Sequence, residues 1–379
     1  MSDNRLFWFF VLFAIFLAHY YLYVSVGVHL KGWQEALWLV MGAFAMMSSL
    51  AARRLHTPRR ERRRMTLKSA VYRFGGAWNI FVILTTACML IFRCFALDIR
   101  AAFLVSCCVS FAVCAYGVYE ARTIRTVRIE LRTPKLPDGA ERLRIAQLTD
   151  LHISPFMLLK HVARVVDAIV SAEPDLVVIT GDLVDGSVGD EAGVSSFYLP
   201  YAEELRRIAG ASPRLGVWAV PGNHDYYEGF ENSAEFVDLS RIERIAGEKR
   251  DLGEILLLGA DDLDHIRKSD ANPEQSVSEE LFASLTCEER KKFVLFLRHR
   301  PIVEPSTIGR FDLQLSGHTH GGQLFFIPSS RHKIPGRPKG LRFIGNGSYL
   351  YVSNGAGFVG PPHAISRACG GCVDRLDSR

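Results

Sequence analysis

The sequence predicts an α/β layered domain preceded by an all-α membrane region of four helices, and three observations carry that prediction. Nearly unbroken apolar runs crowd the first third of the 379 residues, whereas charged and apolar residues mix from about Glu120 onward. Beyond that point short apolar strands alternate with stretches of helical spacing. Polar residues follow those strands at places where turn chemistry alone does not ask for histidine. The expected division is 1–120 for the membrane region and 121–379 for the α/β domain.

In the first third, Leu6 to Val28 is apolar apart from His19 and a few tyrosines and serines. A helix of that length crosses roughly 30 Å of hydrocarbon. It is too long for the apolar part of a signal peptide, and no small-residue cleavage site follows. Three further runs qualify as spans: about Ala36 to Ala51, Ala77 to Leu97 and Ala101 to Tyr119. Arg93, inside the third, is expected near one end with its guanidinium reaching the interface. Trp33, Trp38 and Trp78 sit near span ends, where amphipathic rings settle. The spans carry few ionisable residues and no obvious Gly/Pro-broken pair, which gives little support to a channel or transport pathway, and His19 reads as a packed or interfacial histidine.

The formal net charge of +5 belongs to that region. Residues 1–119 hold 13 Lys+Arg against 4 Asp+Glu, whereas the remainder holds 32 against 36. The α/β part therefore has no basic excess, and without a basic stripe interleaved with aromatics it does not read as a nucleic-acid binder. Arg53, Arg54, Arg59, Arg60, Arg62, Arg63, Arg64 and Lys68 lie between the second and third spans, which makes that loop cytoplasmic by the positive-inside rule. The same loop suits anionic lipid headgroups. The third and fourth spans then form a hairpin through Asp98 to Arg100, and Arg122, Arg125, Arg128 and Arg132 place the following domain in the cytoplasm as well. Of eight cysteines, five fall inside apolar runs. Cys287 remains, with a Cys369-Gly-Gly-Cys372 tail that reads either as a redox or metal pair or as two free thiols.

From Val127 the strands begin. Val127 to Leu131 and Leu143 to Gln147 alternate around a turn at Pro134 to Gly139, as in a hairpin. Leu158 to Ala172 has helical spacing through Val162, Val165, Val166 and Ile169, and Leu176 to Thr180 is a buried-strand run. A helix about Ala202 to Ile208 precedes a strand at Gly216 to Val220. Further strands read at Ile255 to Leu258, Phe293 to Leu297 and Leu313 to Leu315, with a helix about Ser278 to Lys291 and a β-rich region from Leu341 to Ser353.

The strand ends carry the chemistry. Asp150 and His152 follow one strand, Gly181-Asp182 another, and Gly222-Asn223-His224-Asp225 a third. His299 and Gly317-His318-Thr319-His320 follow two more. In α/β sheets the functional crevice lies beyond the carboxyl ends of the strands, so five strand ends converge. Imidazole with carboxylate and amide oxygen suits divalent Mn, Fe or Zn, and a thiolate-free set argues against a structural zinc site. Asp-X-His and His-X-His place two side chains on one face of an extended segment. A carboxylate such as Asp182 can bridge two ions roughly 3.5–4 Å apart. Glycines at 181, 222, 317, 321 and 322 allow sharp turns and close approach.

This ordered set resembles the calcineurin-like metallophosphoesterase family over about Val127 to Gly360. It is similar to the membrane-anchored bacterial branch through Leu148-Thr149-Asp150-Leu151-His152, Gly317 to Gln323 and Tyr351-Val352-Ser353-Asn354-Gly355. The resemblance implies a four-layer sandwich of two mixed sheets flanked by helices. It also implies one metal ion held by Asp150, His152, Asp182 and His320 and a second by Asp182, Asn223, His299 and His318. His224 is implied to face the substrate phosphate, with Asp225 orienting it. Two departures stand out: only one clear strand reads between Asp225 and His299, and the tail Arg367 to Arg379 lacks the alternating strand that usually closes the second sheet.

The expected activity is metal-assisted hydrolysis of a phosphodiester or pyrophosphate, with Mn as the expected ion and Fe or Zn as alternatives. The expected setting is the plasma (inner) membrane, spanned several times. Anchoring favours a lipid-linked substrate, and membrane relatives in the family include enzymes that cleave the pyrophosphate of UDP-2,3-diacylglucosamine. The contrasting expectation is a catalytically weak, metal-binding membrane scaffold or sensor.

Overall fold

The computed structural model describes residues 3–26, 32–54, 62–95, 98–136, 142–154, 157–186, 197–262, 277–322, 339–358 and 373–377. The chain divides between Glu120 and Ala121 into two units. Helices α1 (Asp3–Ser25), α2 (Trp33–Arg54), α3 (Arg62–Arg93) and α4 (Ile99–Arg122) overlap the four apolar runs, but α3 begins well before the run expected from Ala77, so Arg62 to Lys68, expected in a loop, are its first residues. Leu22, Val82 and Met89 are fully buried among them, with Trp38 and Trp78 packed alongside. His19 is a packed histidine: its Nδ1 donates to the Ile15 carbonyl (2.9 Å) and its Nε2 accepts from Trp78 Nε1 (3.1 Å). Among the described residues two helical segments, Phe74–Arg93 and Ile99–Arg122, are long and apolar enough to cross a membrane. The Cys369/Cys372 pair lies outside the described residues.

Among the described residues the second unit contains two six-stranded mixed sheets. In chain order its elements begin β1 (Glu130–Arg132), β2 (Arg142–Leu148), α5 (Leu159–Ser171), β3 (Leu176–Thr180), α6 (Leu199–Gly210), β4 (Val217–Val220), α7 (Asn223–Tyr227), α8 (Phe230–Leu239) and β5 (Glu243–Arg244). They continue with β6 (Glu248–Asp251), β7 (Ile255–Gly259), α9 (Val277–Ala283), β8 (Phe293–Leu297), β9 (Leu313–Ser316), β10 (Gly340–Gly345), β11 (Ser348–Val352) and β12 (Val373–Asp377). One sheet has the order β1-β12-β2-β3-β4-β5 and the other β10-β11-β9-β8-β7-β6.

Every residue of β3, β7 and β8 is buried, so these strands read as unbroken apolar runs because both sheet faces are covered. Alternate residues divide between layers. Ile145, Leu176 and Val178 meet Leu257, Leu295 and Leu315 between the sheets. Ala146, Leu148, Val177 and Ile179 meet the Val162, Val165, Val166 and Ile169 stripe of α5 and Leu205 of α6. Leu256, Leu258, Val294 and Phe296 meet Leu281 and Phe282 of α9 on the far side. The layers are therefore helix, sheet, sheet, helix.

Four sequence expectations are corrected in this unit. β1 and β2 are not a hairpin: β12 lies between them, parallel to β1 and antiparallel to β2. The polar tail thus does supply a strand, and it joins the first sheet; with only Val373 and Leu376 apolar, its alternation is too sparse to read. Among the described residues between Asp225 and His299 there are four strands, β5 to β8, not one. β5 has two residues, and β6 (Glu-Lys-Arg-Asp) is an edge strand whose charges keep further strands from pairing to it. The helix expected to Lys291 ends at Ala283, with a separate 3-10 turn at Glu289–Lys291.

Candidate metal centre

Strands β2, β3 and β4 are mutually parallel, as are β7, β8 and β9, so within each sheet their carboxyl ends lie on one side. Asp150 and His152 follow β2, Asp182 follows β3, Asn223 and His224 open α7 after β4, His299 follows β8, and His318 and His320 follow β9. Two buried side chains tie the sheets together at that end. Gln147 Nε2 donates to Thr180 Oγ1 (2.7 Å) and to the Ser316 carbonyl (3.1 Å), and His299 Nδ1 donates to the Thr180 carbonyl (2.7 Å).

Five of these residues adopt left-handed backbone: Asp150 (φ 52°), His152 (49°), Asp182 (55°), His318 (68°) and His320 (50°). Such conformations cost on the order of 1–3 kcal/mol each outside glycine and persist only where surroundings impose them. Here the Asp150 and His152 amides donate to the Gly181 and Asp182 carbonyls at 3.0 Å, and the His318 amide donates to both Asp150 oxygens at 3.0 Å. Two glycines make room for the carboxylates. A Cβ on Gly317 would lie 2.2 Å from Asp150 Oδ2, and one on Gly222 would lie 2.2 Å from Asp182 Oδ1.

The side chains of the expected ligands gather in two groups, and Asp185 joins His152 and His224 in a third. Asp150, His152 and His320 form one and Asp182, His299 and His318 the other, each with one donor atom per residue within 4.8 Å of the rest. His152 Nε2 lies 2.9 Å from His320 Nε2, and His299 Nε2 lies 3.1 Å from His318 Nδ1. Asp182 Oδ2 stands between the groups, 3.5 Å from His152 Nε2 and 3.1 Å from His299 Nε2. Asn223 Oδ1 is buried and receives no hydrogen bond. A buried amide oxygen without a donor is costly unless a cation satisfies it. The donor set, the facing ring nitrogens and this oxygen fit divalent ions of the Mn, Fe or Zn type.

Charge is balanced tightly here. Burial pulls the His299 imidazole down, but Asp182 and Asp150 outweigh it and hold its pKa up at about 10. Burial likewise raises Asp182, yet His299 and its neighbours drive that carboxyl well below the usual carboxylate range. Asp150 is pushed up, first by burial. His152 is raised against burial, above all by its bond to Asp185.

His224 and Asp225 differ from their expected relation. Asp225 Oδ2 accepts from the Gly222 (2.7 Å) and Asp182 (2.8 Å) amides, and Oδ1 from the Val184 amide and Ser233 Oγ (both 3.3 Å). Its carboxylate thus ties the β3 and β4 loops together. The imidazole of His224 is held by Asp185 instead: Nδ1 donates to the Asp185 carbonyl (2.9 Å) and lies 3.5 Å from Asp185 Oδ1. The same Oδ1 accepts from His152 Nδ1 at 3.1 Å. The sequence reading missed Asp185, although Val184 pairs with Ile153 and so brings Asp185 beside His152.

A helix-flanked double sheet with imidazoles and carboxylates gathered at its strand ends defines a metal-binding α/β protein. Residues 143–322 match the family model described as Calcineurin-like phosphoesterase. The chain is 33% identical over 250 residues to an uncharacterized metallophosphoesterase of Aquifex aeolicus, covering 65% of this chain and 90% of that protein. It is 32% identical over 249 residues to an uncharacterized metallophosphoesterase of Helicobacter pylori, and 28% identical over 270 residues to a zebrafish (Danio rerio) transmembrane protein with metallophosphoesterase domain. Those alignments cover 65% and 68% of this chain and span 62% and 59% of the two relatives. The chain belongs to the calcineurin-like metallophosphoesterase family, a family of metal-dependent phosphoester hydrolases.

Proposed function

We propose that this chain is a membrane-anchored phosphoesterase that uses two divalent ions to hydrolyse a phosphodiester or pyrophosphate bond in a lipid-linked substrate. The observation that carries the two-ion reading is the place of Asp182 Oδ2 between the two histidine groups. One ion would be held by Asp150, His152, Asp182 and His320, the other by Asp182, Asn223, His299 and His318, with manganese the ion of choice. Bound there, the ions supply Lewis-acid charge to the phosphoryl oxygens. His224 presents its Nε2 to the substrate, because Nδ1–H is committed to the Asp185 carbonyl. It donates a proton to the leaving oxygen. Asp225 acts through the backbone, by fixing the Gly222 and Asp182 amides.

The two apolar helical segments of the first unit support anchoring, as does the similarity to a transmembrane protein of zebrafish. The basic stretch from Arg53 to Lys68, which includes the end of α2 and the start of α3, favours several spans with the catalytic unit in the cytoplasm at the inner membrane. A diacylated nucleotide such as UDP-2,3-diacylglucosamine is a substrate of this chemistry. The test is turnover of a panel of chromogenic phosphodiesters and phosphomonoesters with Mn²⁺, alongside Asp182→Asn. Turnover by the parent and loss of both ions and activity in the variant is the expected result. A parent that holds two ions per chain yet turns over no ester would instead be the scaffold or sensor.

A further inference from the structure

The short helix α7 leads from the metal centre to solvent. Asn223, at its start, is only 6% exposed, the His224 side chain is 24% exposed, and Tyr227, at its end, is 54% exposed. His224 and Tyr227 stand three residues apart and therefore share a helix face. Their rings make a T-shaped contact with centroids 5.1 Å apart. One turn sets both. The Asp185 carbonyl holds His224 Nδ1, and the next residue, Gly186 (φ 68°), lies so near Tyr227 that a Cβ there would be 2.6 Å from the tyrosine Cβ. Tyr226 is employed otherwise: its ring stacks on Phe230 and its hydroxyl donates to Asp261.

A lone exposed tyrosine on a protein surface needs no explanation. Tyr227 differs because it touches the imidazole that protonates the leaving oxygen. Whatever that oxygen carries must lie next to His224 and extend away from the buried metal cluster, and Tyr227 is a largely exposed ring in contact with His224. We propose that Tyr227 is the platform on which the leaving group lies, so that the site selects phosphoesters whose leaving alcohol has a planar or apolar body. This rests on the phosphoesterase reading above.

The test compares phenyl and trifluoroethyl phosphodiesters with the full-length protein and Mn²⁺, in the parent, Tyr227→Ala and Tyr227→Phe. Tyr227→Ala should lower kcat/KM for the phenyl ester about tenfold, the scale of one aromatic contact, and for the trifluoroethyl ester less than about twofold; Tyr227→Phe should match the parent on both. Calorimetric binding of phenylphosphonate and methylphosphonate reads the same contact without turnover, and only the phenyl ligand should weaken in Tyr227→Ala. Equal losses on both esters would make Tyr227 a support for His224 and overturn the proposal, as would no loss on either. A parent that binds both ions and hydrolyses neither ester overturns the phosphoesterase reading, and the leaving-group role with it.

Discussion

Replacing Asp185 tests whether the centre depends on a residue outside the two proposed ligand sets. One of its carboxylate oxygens lies 3.1 Å from His152 Nδ1 and 3.5 Å from His224 Nδ1, and its carbonyl accepts from His224. Asp185→Ala removes the oxygen and keeps the carbonyl. His152 then loses a charge-assisted bond of about 1.5–3 kcal/mol, and its ring is free to turn away from the cluster. Such partners of ligating histidines are worth roughly 10–100-fold in metal affinity, so Ala should weaken the Asp150/His152/His320 ion by about 30-fold and leave the other within about threefold. Asp185→Asn keeps an acceptor for one ring but not the charge, and should fall between. Metal titration by calorimetry on the three proteins gives the two affinities. If Ala binds both ions as the parent does, His152 is held by packing alone and the argument fails; if both ions weaken equally, Asp185 supports the loop rather than the imidazole.

Gly222→Ala should disrupt the bridge, because its Cβ would lie 2.2 Å from Asp182 Oδ1; metal analysis should find fewer than two ions per chain, and a full complement would contradict this. Metal binding should release protons at neutral pH, since His299 in the metal-free chain is held protonated by Asp182 up to about pH 10 and must ligate as the neutral ring; calorimetry in buffers of different ionisation enthalpy should show it, with affinity rising as pH rises. In the metal-free chain the raised His299 contributes its stabilisation in full below its ordinary pKa of 6.5, and loses it as pH climbs through about 10. His224→Ala should keep both ions while kcat falls by roughly 10²–10⁴, with a smaller loss for nitrophenol esters, whose leaving groups need little protonation; loss of metal would make His224 a ligand.

Much of the fold was legible because its buried strands are apolar on both faces. β3, β7 and β8 were readable from runs such as Leu176 to Thr180, and α5 from its one valine-rich stripe. Elements that owe their structure to partners were not. β6 carries four charged residues and is a strand only because β7 offers it a free edge, and β12 finds its place between β1 and β2 across more than two hundred residues of chain. No local pattern encodes either pairing, and the hairpin between β1 and β2 was the natural misreading once β12 was unseen.

The site shows the same division at the scale of single side chains. Residues whose type is unusual for a strand end, such as His299 and the His318/His320 pair, announce themselves, because turns favour glycine, asparagine and aspartate. That same preference hides Asp185, whereas the family resemblance gives Asp225 to His224. An aspartate after a strand looks like turn chemistry, and one next to a histidine looks like its partner. Which imidazole a carboxylate serves is decided by how the β2 and β3 loops pair, through Ile153 and Val184, and by which amides are left to Asp225. Adjacency in sequence puts Asp225 beside His224, but α7 turns their side chains to different faces, one toward the loop amides and one toward the Asp185 carbonyl. The helix therefore separates the group that shapes the loop from the group proposed to meet the substrate, which is why substitutions at 224 and 225 should fail differently: the first in turnover, the second in the loop that positions Asp182.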